Sequence, residues 1–274
     1  MPTMRDSTGA PAPLLRRLLI AAAVVLALSP YALLALMSAG SGWTFPHLTP
    51  DRLDFAPWSA LLAERDGLLS AMLTSASMSV VVGVMGTAGG LLIAHAVHRT
   101  RSRLWRILMY APFAISPVVL GVCWYDLFVR WGNSGSVAGV VLAQLVIALG
   151  FASVFFSEVW SVRTDRLAQT VRQFGGKGWD VWRHAVYPQM RGLLLACCLQ
   201  TALFSWLDFG LVSTVGGGQV STVTTKVFAY LREASVNQAA LAGIVLLAPP
   251  TCGYLAAASV MMFRSRRREG IATS

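Results

Sequence analysis

The side chains best suited to chemistry or to binding are concentrated in one polar stretch, from Asp165 to Pro188. Its basic groups are Arg166, Arg172, Lys177, Arg183 and His184, its acids are Asp165 and Asp180, and its glycines are Gly175, Gly176 and Gly178. The GGKG at 175–178 lacks the upstream glycine and the following Ser or Thr of a phosphate-binding loop. The stretch therefore predicts a contact surface and no nucleotide site of its own.

The remaining reactive residue types are scattered. The four histidines are scattered over the chain, at His47, His95, His98 and His184. A membrane-embedded enzyme would need several polar groups converging at one depth. The four cysteines all fall in apolar runs without CxxC spacing, which favours small buried side chains over a metal site or a disulfide. We expect no catalytic residue and no metal ligand.

The composition indicates a membrane protein. Of 274 residues, 55% are hydrophobic and only 12% are charged, about half the share usual in soluble domains. The formal net charge is +10, and the basic residues cluster at the ends of apolar runs. There they set topology and meet anionic lipid headgroups, so no nucleic-acid partner is expected.

Six apolar runs predict six transmembrane helices, at 18–37, 69–94, 107–125, 137–156, 193–214 and 239–263. With six spans, 17 of the 22 Lys and Arg residues fall on the side that carries both termini, which predicts cytoplasmic termini. We expect a disordered tail over 1–14, the first span and its external loop over 15–64, a helical core over 65–265 and a basic tail over 266–274.

The polar stretch lies between the fourth and fifth predicted spans, on the cytoplasmic side. Apolar side chains recur at helical spacing on both sides of its glycines, at Leu167, Val171 and Phe174 and then at Trp179, Trp182 and Val186. This pattern predicts a helix, a glycine turn and a second helix with a basic rim. Such a knob could dock into a groove of a partner, or it could lie on the membrane surface as an amphipathic hairpin.

The same stretch resembles the cytoplasmic loop of permease subunits in binding-protein-dependent ABC importers. That motif reads Glu-Ala-Ala, three residues, Gly, nine residues, Ile, one residue, Leu-Pro. With its Gly at Gly175, its Pro falls on Pro188. The flanking Trp179, Arg183, Pro188, Arg191 and Leu193 also fit the family. The chain departs from the motif at Gln169, Thr170, Val171, Ala185 and Tyr187.

This resemblance implies an all-α, MetI-like type I permease fold with six transmembrane helices, in the bacterial inner membrane. It implies a second permease, two ATPase subunits that bind ATP and Mg²⁺, and a periplasmic solute-binding protein as partners, with no cofactor on this chain. The polar stretch would be the coupling helix. Its coupling residues would be Gln169, Thr170, Val171, Phe174, Gly175, Gly176, Trp179, Arg183 and Pro188.

Asp208 lies within the fifth predicted span, where an ionisable group is costly and usually functional or paired. With Gln200, Ser205 and Trp206 it could line a translocation pathway for a polar or cationic solute. Alternatively it caps structure near the outer end or hydrogen-bonds a neighbouring helix. The segment FSWLDFGLVSTVGGG also resembles family members that handle polyamines, iron, thiamine or phosphonates.

A self-contained secondary transporter or channel is the competing function. It would need coupling-ion groups within the membrane, and such transporters often contain inverted repeats. The sequence offers one central acid and no visible repeat. The transported solute and the identity of the second permease are left open by the sequence.

Overall fold

The computed structural model of the chain describes residues 13–41, 52–55, 58–59, 67–100, 102–157 and 169–253. Over these residues the protein is helical, apart from the two-residue strands β1 (Gly40–Ser41) and β2 (Arg52–Leu53), which pair antiparallel. The long helices are α1 (Pro13–Ala39), α2 (Leu68–Thr100), α5 (Val137–Ser157), α7 (Tyr187–Leu207) and α10 (Val236–Gly253). The short ones are α3 (Arg103–Tyr110), α4 (Pro117–Arg130), α6 (Gly178–Val181), α8 (Gly210–Val215) and α9 (Val223–Arg232).

Five helices in the described part of the chain are long and apolar enough to cross a membrane. They are α1, α2, α5, α7 and α10. The all-α, multi-pass class predicted from composition is therefore confirmed. The predicted tail over 266–274, nearly all of that over 1–14, and the last turns of the sixth predicted span lie outside the described residues.

The third predicted span is not one continuous helix. Helix α3 ends at Tyr110, a 3-10 turn covers Ala111–Phe113, and α4 starts only at Pro117 after an extended Ser116. Proline lacks an N–H group and forces the residue before it out of the helical region, so Pro117 can begin a helix but cannot continue one. The chain passes this region as two shorter helices with a break between them.

The fifth predicted span, placed at 193–214, also differs. Helix α7 begins earlier, at Tyr187, and ends at Leu207, where Asp208 adopts an extended conformation. Helix α8 then begins separately at Gly210. Asp208 therefore lies at the end of α7, and not inside a span. A side chain that can bond the backbone of a following helix favours such a boundary.

Helix α2 is the centre of the bundle and packs against α5 and α7 through small residues. A Cβ atom on Gly86 would lie 2.8 Å from Cβ of Ala148, and one on Gly90 would lie 2.8 Å from the carbonyl carbon of Ala152. Without side chains at these positions the helices approach closely, as the small residues of this span predict. With 33 residues, α2 is roughly 50 Å long, well beyond a hydrocarbon core of about 30 Å.

Candidate functional site

The polar stretch forms a compact unit at the start of α7. Residues 169–188 of it are described, and we call them the knob. Residues 169–173 are helical, and the chain then turns at Phe174 and Gly175. Gly175 has φ +79°, which glycine adopts without strain. The N–H group of Gly176 donates to the carbonyl of Val171 at 3.0 Å. The predicted glycine turn is present, and the residues before 169 lie outside the described part.

The second half of the knob runs without interruption into α7. The backbone N–H of Lys177 donates to Oδ2 of Asp180 at 2.9 Å, which starts α6. A π turn follows over Trp182–Val186, in which the N–H of Tyr187 donates to the carbonyl of Trp182. Pro188 then occupies the first turn of α7. A wider turn relieves the clash between a proline ring and the carbonyl four residues earlier, which accounts for a π turn here.

The two predicted apolar faces do not form as expected. Val181 and Val186 are buried in a cluster with Leu91, Phe156 and Met190, and Val171 and Trp182 pack partly against this cluster. Phe174 is 87% exposed and Trp179 is 69% exposed. The prediction that Phe174 shares a face with Val171, and Trp179 with Trp182 and Val186, is therefore wrong. Leu167, the remaining member of the first face, lies outside the described residues.

Local backbone geometry explains this difference. The glycine turn takes Phe174 out of the helix that carries Val171. The π turn has hydrogen bonds from residue i to i+5, so Val181 and Val186 share a face although the α-helical period would pair other residues. The knob consequently has one side packed on the bundle and one side in solvent.

The solvent side contains most of the predicted coupling residues. Val171 and Gly176 are half-buried, and the other seven are exposed. The exposed ones are Gln169, Thr170, Phe174, Gly175, Trp179, Arg183 and Pro188. Large aromatic rings are the side chains that contribute most to protein interfaces. We call the part of this side around Phe174 and Trp179 the exposed knob surface.

The opposite end of α7 carries a buried polar network centred on Asp208, which is 8% exposed. Its Oδ2 accepts from Nε2 of Gln144 at 2.9 Å, and its Oδ1 accepts from the backbone N–H of Leu211 at 3.2 Å. Ser205 donates to Oε1 of Gln144 at 2.7 Å, and Thr224 donates to the backbone carbonyl of Asp208 at 3.1 Å. Asp208 thus caps α8 and bonds a neighbouring helix, the alternative considered for it from the sequence.

Two neighbouring clefts adjoin this network where α4 begins. The first cleft has a volume of about 230 Å³ and is lined by Pro112 and Thr201. The second has a volume of about 490 Å³ and reaches Asp208. Both are also lined by Pro117, Gln200 and Phe204. Non-helical backbone at membrane depth is tolerated where it lines a cavity, which suits the break between α3 and α4. The amide of Gln200 lines both clefts and could contact a polar solute.

The structure therefore separates the four predicted pathway residues. Gln200 and Asp208 line clefts, whereas Ser205 is bonded to Gln144 and Trp206 donates from Nε1 to the carbonyl of Leu246 at 2.8 Å, both of them buried. Gln144 was not among the predicted residues. Its signal was available, because it is the one amide in the apolar run VAGVVLAQLVIALG at 137–150.

Residues 86–267 match the family model described as binding-protein-dependent transport system inner membrane component. The sulfate transport system permease protein CysW of Synechocystis is 26% identical, over 65% of this chain and 71% of the relative. The sn-glycerol-3-phosphate transport system permease protein UgpA of Rhizobium meliloti is 23% identical, over 67% and 70%.

The family match begins in the middle of α2 and takes in every later described element, including the knob, both clefts and the Asp208 network. It covers well over half of the chain. The arrangement of long apolar helices around an exposed loop at one end fits the same assignment. The chain belongs to the family of binding-protein-dependent transport system inner membrane components, the permeases of ABC importers.

Proposed function

We propose that this chain forms a solute pathway with a second permease and couples it, through the knob, to ATP hydrolysis by separate ATPase subunits. The observation that carries the proposal is the exposed knob surface, where Phe174 and Trp179 stand in solvent beside a firmly packed second face. A rigidly seated element with uncovered aromatic rings suits docking into a groove of a partner. ATP and Mg²⁺ would be held by that partner.

The continuity of the knob with α7 supports a mechanical role. From Gly178 the chain is helical through the π turn to Leu207, so movement of the knob is passed along α7 without a flexible joint. Helix α7 carries Gln200 and ends at Asp208, which line the clefts. Closing of the ATPase dimer would thereby change access to the clefts from one side of the membrane to the other, a coupling between two equilibria.

The orientation of the chain in the membrane follows from the distribution of its basic residues. The knob and both termini lie in the cytoplasm, because the loops on that side carry most of the arginines, and a periplasmic binding protein would deliver solute to the other side. The membrane would be the inner membrane. The amide of Gln200, which lines both clefts, suits a polar solute.

Replacing Gly175 with Arg, or deleting 173–180, tests the coupling role. We expect transport to be abolished while the protein remains in the membrane, since Gly175 has no neighbour within 4 Å and its side of the knob is exposed. Gly178→Ala is the matched control, because that glycine also has open space but no left-handed conformation. Full transport by the purified chain in vesicles without an ATPase would contradict the proposal and favour a self-contained transporter.

A further inference from the structure

A separate cleft lies behind the knob, between its packed side and the end of α2. Its volume is about 390 Å³. Leu91 and Leu92 form its floor on α2, and Val181 and Trp182 line it from the knob. Phe174 and Trp179, the centre of the exposed knob surface, do not line it, whereas Gln169 on the solvent side does. A molecule in this cleft would therefore leave the two aromatic rings of the proposed ATPase contact free.

The rim of the cleft is basic. His95, His98 and Arg99 from α2 meet Arg172 from the knob there, and no carboxylate from the described residues lines it. Within the described chain, neither Arg99 nor Arg172 makes an ion pair, and both are exposed. Two guanidinium groups from different elements thus face one cleft without a carboxylate partner, an arrangement that attracts a phosphate.

The apolar and basic parts follow one another along α2. Leu92, His95 and Arg99 are spaced i, i+3, i+7 and so share a helix face. Seven residues of helix separate the apolar end from the basic end by roughly 10 Å. Leu92 is 70% exposed within an apolar helix, as expected of a side chain that meets lipid. The cleft therefore offers apolar contact on the membrane side and positive charge on the aqueous side.

From this arrangement we propose that the cleft binds one anionic phospholipid, with its phosphate at Arg99 and Arg172 and its first acyl carbons against Leu91 and Leu92. The lipid would come from the cytoplasmic leaflet, so the proposal uses the orientation given above but not the ATPase partner. Juxtamembrane arginines attract anionic headgroups strongly enough for selective binding. Because the lipid touches α2 and the knob together, it would stabilise the knob on the bundle.

The test uses the purified full chain in detergent and dioleoyl phosphatidylglycerol as the probe. Its addition should raise the melting temperature in a saturable way, and native mass spectrometry should show one retained lipid. Dioleoyl phosphatidylcholine should give neither result. In the double variant Arg99→Gln/Arg172→Gln, we expect half-saturation to need about tenfold more phosphatidylglycerol.

Three controls define the result. Arg99→Lys/Arg172→Lys should keep most of the effect, and Arg103→Gln should behave as wild type because Arg103 is exposed but outside the cleft. The melting temperature of each variant without lipid identifies any folding defect. An unchanged half-saturation in the double Gln variant, an equal effect of phosphatidylcholine, or the same effect from inorganic phosphate alone would overturn the proposal. If the unaltered chain binds phosphatidylglycerol as expected but binds no ATPase subunit, only the proposed function is contradicted.

Discussion

The two ends of α7 differ in whether their side chains find contact partners within the chain. At one end, Asp208 is buried and its carboxylate is met by Gln144 and by the backbone of Leu211. At the other end, the knob leaves Phe174 and Trp179 in solvent. Buried polar groups are stabilising only when paired, and exposed aromatic clusters commonly mark interaction sites. The Asp208 end is completed within the chain, whereas the knob end leaves Phe174 and Trp179 uncovered, as the proposed docking to a partner requires.

The strongest test of this contrast is Phe174→Ala. We expect the affinity for the ATPase subunit to fall by about 100-fold, the usual effect of removing a central aromatic contact, while the melting temperature stays unchanged. The measurement is co-purification or surface binding of the two subunits. Trp131→Ala is the control, since Trp131 is 64% exposed but lies outside the knob. If Trp131→Ala lowered the affinity for the ATPase subunit as much as Phe174→Ala, the knob would not differ from other exposed aromatic positions, and the contrast would fail.

Asp208→Ala tests the other end. The change leaves Gln144 and the N–H of Leu211 without their partner, so we expect the free energy of unfolding to fall by about 2–4 kcal/mol. Thermal or denaturant unfolding in detergent measures it. Asp126→Ala serves for comparison, because Asp126 pairs only with Arg130 on an exposed helix surface and should cost under about 1 kcal/mol. A similar cost at both acids would contradict the role given to the buried network.

Gly90→Ala examines packing completed within the chain. Its new methyl group would meet the backbone of Ala152 and Ser153, so we expect α2 and α5 to separate slightly and stability to fall by about 1–3 kcal/mol. Gly192→Ala, with no neighbour within 4 Å, should be neutral or slightly stabilising because alanine favours the helix. Unfolding of both variants under the same conditions distinguishes close packing from helix propensity.

The smallest effect is expected at the glycine turn itself. Gly175→Ala should destabilise the knob by about 1 kcal/mol, because a side chain is strained at φ +79° even where space is open. Gly178→Ala lacks that strain and should change little. Hydrogen exchange of the knob amides, which reports local opening, is the suitable measurement. Faster exchange in both variants would show that the turn conformation is not the cause.

Composition and charge were sufficient to predict the multi-pass helical class. The resemblance around Gly175 and Pro188, together with its position between the fourth and fifth predicted spans, indicated the family. Helix interruptions were harder. Pro117 indicated a helix break, but the position of that break in the bundle depends on the helices that flank it. The end of α7 depends on the hydrogen bond between Asp208 and Gln144, which lies sixty-four residues earlier in the chain. The distribution of Phe174, Trp179 and Val186 between the two sides of the knob was missed because no periodicity reveals a π turn.

The break between α3 and α4 has a consequence for the permeability barrier. The backbone at 111–116 does not continue the α-helical hydrogen bonding of α3. Backbone groups of this kind at membrane depth need water or protein around them. Two clefts adjoin this break, and Pro117 lines both of them. In the proposed pair of permeases, the second chain would complete the surroundings of this backbone, and insulation against ion leakage would be a property that the two chains share.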